Sequence, residues 1–129
     1  MNLLHVIQHT SADYLGLMED HFEGRRIRFR YFRPFTEQGT IPQPGELSDG
    51  LVLLGGGPWG SAGARDVPTL AGEVAATRAM LEQGKPVLGI GLGAQILAIA
   101  AGGGSEDAPL VFEVGHARRV ADDALAGFL

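Results

Sequence analysis

Residues 86–98, PVLGIGLGAQILA, run from an apolar strand through a Gly-x-Gly turn into an apolar helix. A bend of this kind lifts one side chain to the top of a sheet, and small residues on either side relieve the crowding that it creates. The helix N-terminus behind the bend offers free N–H groups and a partial positive charge, which lower a thiol's pKa and stabilise an oxyanion. Gly89 and Gly93 supply the small flanks, and Gly91, at the bend, is neither acid, base nor nucleophile. A second glycine-rich turn, GGGPWG at 55–60, holds Trp59, the one tryptophan, which suits either a pocket lid or an interface anchor. Other candidates are few. There is no cysteine, hence no disulfide, no cysteine-based metal site and no thiol catalysis. Ser105 lies in GGGSED with no histidine near it in sequence. His5 and His9 flank the first apolar run; His9 falls at its carboxyl end, where a surface or capping role is the simplest expectation.

These residues must be positioned by alternating strands and helices. LLHVIQ (3–8) reads as a first strand, and Ser11 as the N-cap of a helix carrying Leu15, Met18 and Phe22 up to Gly24. RRIRFRYFR (25–33) alternates Arg26, Arg28 and Arg30 with Ile27, Phe29 and Tyr31, the period of a half-buried strand with a solvated cationic face. Residues 33–49, with three prolines and two glycines, form a surface loop. GLVLLGGG is a third strand, apolar throughout as a central parallel strand would be. A helix over 69–83 carries Leu70, Val74 and Leu81 on one stripe, with Gly84 at C′ and Pro86 opposing continuation. Val87–Ile90 is the fourth strand, Leu92–Ala101 the third helix and Pro109–Val114 a fifth strand; ADDALAGFL ends the chain as a short helix or turn. The alternation predicts an α/β fold with a parallel sheet and helices on both faces. In such sheets ligands sit beyond the carboxyl ends of the strands, where both glycine turns fall.

With 129 residues the chain makes a single domain, 1–129, with a real core. The hydrophobic share of 45% and charged share of 19% are those of a globular protein. A net charge of −5 argues against a nucleic-acid partner, so the arginine-rich strand reads as a solvated face. The N-terminus lacks the pattern of a signal peptide and no apolar run reaches membrane-spanning length, which makes a cytoplasmic protein with no membrane contact the default expectation.

The glycine turn and its surroundings resemble the N-terminal part of a class I glutamine amidotransferase domain. That family's Gly-x-Cys-x-Gly-x-Gln stands here as Gly89-Ile90-Gly91-Leu92-Gly93-Ala94-Gln95. LEQGKPVLG before it, ILAIAAGG after it, LVLLGGGPWG one strand earlier, LLHVIQH at the start and FEVGH near the end are similar to the family's segments in order. The resemblance implies a three-layer, mostly parallel flavodoxin-like sheet, cut short on its C-terminal side. It implies that Gly57 and Leu92 offer backbone N–H groups to an oxyanion, that Gln95 lines a glutamine pocket, and that Gly91 stands at the place of the catalytic cysteine. Beyond the elbow no His-x-Glu occurs, and His116 in EVGHARR matches a structural or substrate-side segment.

The expectation is therefore a catalytically inactive member, a pseudoenzyme without cofactor or metal. A remnant pocket of Gly57, Leu92 and Gln95 would take a small carboxylate or amide. An uncovered edge beside the fifth strand would call for a partner, either a homodimer or a larger complex. Two alternatives stand beside this. With glycine at position 91, residues 89–94 satisfy G-x-G-x-x-G/A, a dinucleotide-binding fingerprint, and Glu113 would be the acid that meets a ribose. Or the chain is a fragment or variant of an active glutamine amidotransferase.

Overall fold

The computed structural model describes residues 2–46 and 48–121. Four strands, β1 (Leu3–Ile7), β2 (Arg28–Phe32), β3 (Gly50–Leu53) and β4 (Val87–Gly89), form one sheet in the order β2-β1-β3-β4. Every pairing is parallel, with Val6 opposite Tyr31 and Val52, and Leu53 opposite Gly89. Three helices join them: α1 (Met18–Gly24), α2 (Leu70–Glu82) and α3 (Leu92–Ala100). The chain leaves β1 for β2 on one side and returns to β3 on the other, so the carboxyl ends of β1 and β3 flank a topological switch point.

The strand period of two sorts the core into two layers. On one face Ile7, Leu51 and Leu53 pack with Phe32, Val67, Met80 from α2, and Leu92 and Ile96 from α3. On the other, Val6, Val52 and Leu54 pack with Leu15, and with Met18 and Phe22 of α1. All four residues of β3 are buried, which is why its sequence is apolar without alternation. β2 is a sheet edge whose exposed Arg28 and Arg30 alternate with Phe29 and Tyr31; Arg30 stacks on Phe32 at 4.6 Å and Arg33 on Tyr31 at 4.3 Å. Cations on an outer strand keep it from pairing with other chains. Among the described residues no helix is long and apolar enough to cross a membrane.

Three expectations are corrected. The first helix begins at Met18, not after Ser11, because Gly16 takes a φ of +61° and breaks the run. Leu15 is still buried, held as loop by a 3.0 Å bond from its N–H to the Tyr31 hydroxyl. That hydroxyl in turn donates to Glu19 of α1; burial and this bond push its pKa up to about 12. The buried stripe of α2 is Glu73, Ala76, Thr77 and Met80, leaving Leu81 exposed and Leu70 and Val74 at the margin. Finally, Pro109–Val114 is no strand: Leu110, Phe112 and Val114 are almost fully exposed. A strand's backbone needs a partner ladder, and nothing described pairs with this segment. Apart from Ala121, the closing ADDALAGFL lies outside the described residues.

Candidate functional site

The bend after β4 is built around Gly91, which caps α3 with φ 58° and ψ −120°. Its carbonyl accepts from Ala94 N–H at 3.0 Å, while Gly93 N–H donates to Ile90 at 2.9 Å and to Leu54 at 3.2 Å. The flanking glycines are compelled by contact. A Cβ on Gly89 would sit 2.5 Å from the Gly93 carbonyl oxygen, and one on Gly93 would sit 2.0 Å from that of Leu53. At Gly91 the nearest atom to such a Cβ is Gly55 Cα at 3.4 Å, ordinary van der Waals contact. Packing thus forbids a side chain on either side of the bend and leaves space for one at its summit.

The GGGPWG loop interlocks with this bend. A Cβ on Gly56 would meet the Leu92 side chain at 2.3 Å, so the first turn of α3 lies directly on the loop backbone. Gly57 takes φ +55°, and Trp59 N–H closes a reverse turn on the Gly56 carbonyl at 3.0 Å. A positive φ followed by Pro58 is the pattern of a type II′ turn, which favours glycine at its first central position. Among the described residues neither Gly57 N–H nor Leu92 N–H has a hydrogen-bond acceptor. Two free donors therefore stand on neighbouring segments at the positively polarised start of a helix.

Gln95, one turn into α3, is exposed, and its Oε1 accepts from Ser61 Oγ at 2.6 Å. Ser105 Oγ stands 2.9 Å from Ser61 Oγ and 3.5 Å from the same Gln95 oxygen. The amide carbonyl of Gln95 is thus spent on tying the loop after Trp59 to the segment after α3. Ser105 is engaged with a hydroxyl and an amide, not with a base.

At the switch point lies a pair that sequence reasoning missed. His9 is not a surface histidine: it is 2% exposed, and Nε2 is 2.5 Å from Oε1 of Glu73, which is fully buried. The other ring nitrogen lies 3.3 Å from the Gly55 carbonyl oxygen. Glu73 Oε2 accepts from Thr69 Oγ1 at 2.5 Å, and Thr77 Oγ1 donates to the Glu73 carbonyl at 2.7 Å. Burial works against a charged His9 ring, but the bond to the Glu73 carboxylate, its charge, and the carbonyls of Gly55 and Leu54 outweigh it, so the pKa lies above 6.5. His9 and Thr69 also line an apolar pocket of about 70 Å³ with Pro34, Phe35, Val67, Pro68 and Trp59. The half-exposed indole of Trp59 is a wall of that pocket. The one signal for Glu73 in the sequence is its spacing: Thr69, Glu73 and Thr77 recur every four residues, a polar row on one helical face.

The dinucleotide reading loses its acid here, because Glu113 lies in no strand and is exposed. His116 is likewise exposed, outside any element.

The family model described as glutamine amidotransferase class-I matches residues 19–126. Among solved structures, a glutamine amidotransferase from Thermotoga maritima is 32% identical at a TM-score of 0.66, over 78% of this chain and 43% of that one. A glutamine amido transferase from Methylobacillus flagellatus is 28% identical with a TM-score of 0.66, over 79% of this chain and 39% of that one. The chain therefore spans about two fifths of the length of these structures. No curated protein matches it.

Proposed function

Because the chain belongs to the class I glutamine amidotransferase family, we propose that it keeps a binding cradle of that fold while lacking the covalent step, and serves as a non-catalytic binding or structural subunit. One observation carries this reading: Gly91 has no side chain at the summit of a bend whose packing leaves room for one. In the resemblance drawn from the sequence this is the nucleophile's place. Covalent catalysis there needs a lone pair to attack the carbonyl carbon, and glycine offers none.

Binding needs less. Gly57 and Leu92 N–H groups suit a small carboxylate or an amide oxygen, and the helix start favours negative charge. Gln95 stands one turn beyond Leu92 on α3, with its carbonyl oxygen engaged by Ser61. His9 does not substitute as a general base, because both its ring nitrogens already have partners. A structural role draws support from the β4 side, where Leu88 and Ile90 are about two-fifths exposed; Trp59 is a further candidate anchor.

Ammonia release from L-glutamine and L-glutamate binding by calorimetry test this together. The expected outcome is no turnover with measurable binding. Steady glutaminase activity of the purified chain would overturn the reading.

A further inference from the structure

The proposed cradle makes no use of Glu73, a fully buried carboxylate in the first turn of α2. Taking a carboxylate and an imidazolium out of water is costly and is often no gain over apolar packing. Here both oxygens of Glu73 are occupied, by His9 and Thr69, and no buried side-chain nitrogen or oxygen among the described residues lacks a partner. The pair is thus complete on the side of α2, and its open end is the second ring nitrogen, directed at the Gly55 carbonyl.

That carbonyl belongs to a run of three glycines, Gly55, Gly56 and Gly57, with no side chains to hold their peptide planes. Leu92 packs on the loop backbone at Gly56, and beyond that contact each plane is oriented by what its polar atoms bind. In a trans peptide the carbonyl and the following N–H point in opposite directions. Holding the Gly55 carbonyl therefore aims Gly56 N–H, and the bond from Trp59 N–H to the Gly56 carbonyl aims Gly57 N–H in the same way.

We infer that His9 and Glu73 are positioning residues for the glycine loop: the pair grips the Gly55 carbonyl from the core side and so sets the plane that carries Gly56 N–H, from which the Gly57 donor is hung. The grip requires hydrogens on both ring nitrogens, one donated to Glu73 and one to Gly55. Deprotonation removes one of these two bonds, and the Gly55 plane is the cheaper one to release, since Glu73 would otherwise be left buried and unpaired. The loop is thus ordered while the ring is charged and loosened when it is neutral. The ionisable groups that face this arrangement are Glu73 from α2 and Asp13 from the β1–α1 connection. Asp13 accepts from Thr10 Oγ1 at 2.7 Å, and its carboxyl group lies 3.5 Å from where a Gly55 Cβ would stand. The remaining pocket walls, Pro34, Phe35, Trp59, Val67, Pro68 and Thr69, carry no charge. The relevance to ligand binding rests on the cradle proposed above; the mechanical claim does not.

The test is a nuclear magnetic resonance titration of the ligand-free chain across neutrality, following the His9 ring and the three-bond HN–Hα couplings of Gly55, Gly56 and Gly57. The couplings are expected to be those of a fixed loop below the His9 midpoint and to average above it. With Glu73→Gln the midpoint of both ring and loop should fall together; with Asp13→Asn neither should move. Glycine couplings that stay constant while His9 titrates overturn the inference, and the wild-type titration decides this even if a variant fails to fold. L-Glutamate, added at pH values either side of the midpoint, should bind about tenfold more weakly above it. Absence of glutamate binding at every pH, with the couplings still tracking His9, would sink the cradle reading and leave the positioning role standing.

Discussion

Glycine occupies positions 89, 91 and 93 for different reasons, and a side chain added at each separates them. At Gly93 a methyl group would drive into the Leu53 carbonyl at 2.0 Å, a backbone atom of the central strand. Gly93→Ala is expected to cost about 3 kcal/mol or more in urea unfolding, since backbone overlap in a packed core relaxes poorly. At Gly91 the methyl group meets nothing closer than 3.4 Å, so Gly91→Ala pays for its backbone conformation (φ 58°, ψ −120°) alone, about 1–3 kcal/mol and less than Gly93→Ala. Equal losses would refute the claim that the bend has room at its summit. By the same reasoning Gly91→Cys should fold and present an alkylatable thiol at the start of α3. The glycine pattern was legible in the sequence because small flanks about a strand-to-helix bend are a recurring local signature, even though the contact that enforces Gly93 comes from Leu53 on another strand. Glu73 was not: its partner is 64 positions away, and an acidic residue in a helix reads as solvent-facing until the tertiary contact is known.

At the scale of elements, the His9–Glu73 pair ties the segment just after β1 to the first turn of α2, and its contribution depends on pH with a definite sign. A folded-state pKa above the unfolded 6.5 means that the folded chain holds the ring proton more tightly. The stabilisation is fully present below pH 6.5 and is lost as pH rises through the folded midpoint. Thermal melts of the wild type should therefore show a falling Tm across that window, a fall that Glu73→Gln flattens; parallel profiles for the two chains would remove the linkage. Strand and helix identities were legible throughout the first 100 residues, because apolar period and punctuation by glycine and proline report burial locally. The start of α1 was not, since Ser11 carries the right chemistry for a cap while Gly16 and the Tyr31 hydroxyl settle the matter from elsewhere. LVFEV at 110–114 failed for the complementary reason: its β-branched and aromatic residues suit a strand, but no described neighbour completes its ladder.

For the whole molecule the two sheet edges are unlike. β2 is guarded by exposed Arg28 and Arg30, whereas β4 is short, uncharged and shows Leu88 at 46% and Ile90 at 39% exposure. Beyond α3, Leu110, Val111, Phe112 and Val114 add more apolar surface in a segment without secondary structure. An unguarded edge with apolar side chains on it is what another strand adds to, whatever its source, and in a preparation of these 129 residues that source is a second copy. The 129-residue chain should therefore run above its monomer mass of 13.6 kDa in light scattering at micromolar concentration or above. Leu88→Lys places a charge on β4 of the kind that protects β2, and should return the mass toward the monomer without altering the far-ultraviolet circular dichroism. A wild-type chain that stays monomeric and monodisperse as concentration rises would count against the subunit role. The fold would then have to be valued for its cradle alone, because neither the glycine bend nor the buried pair requires a second chain.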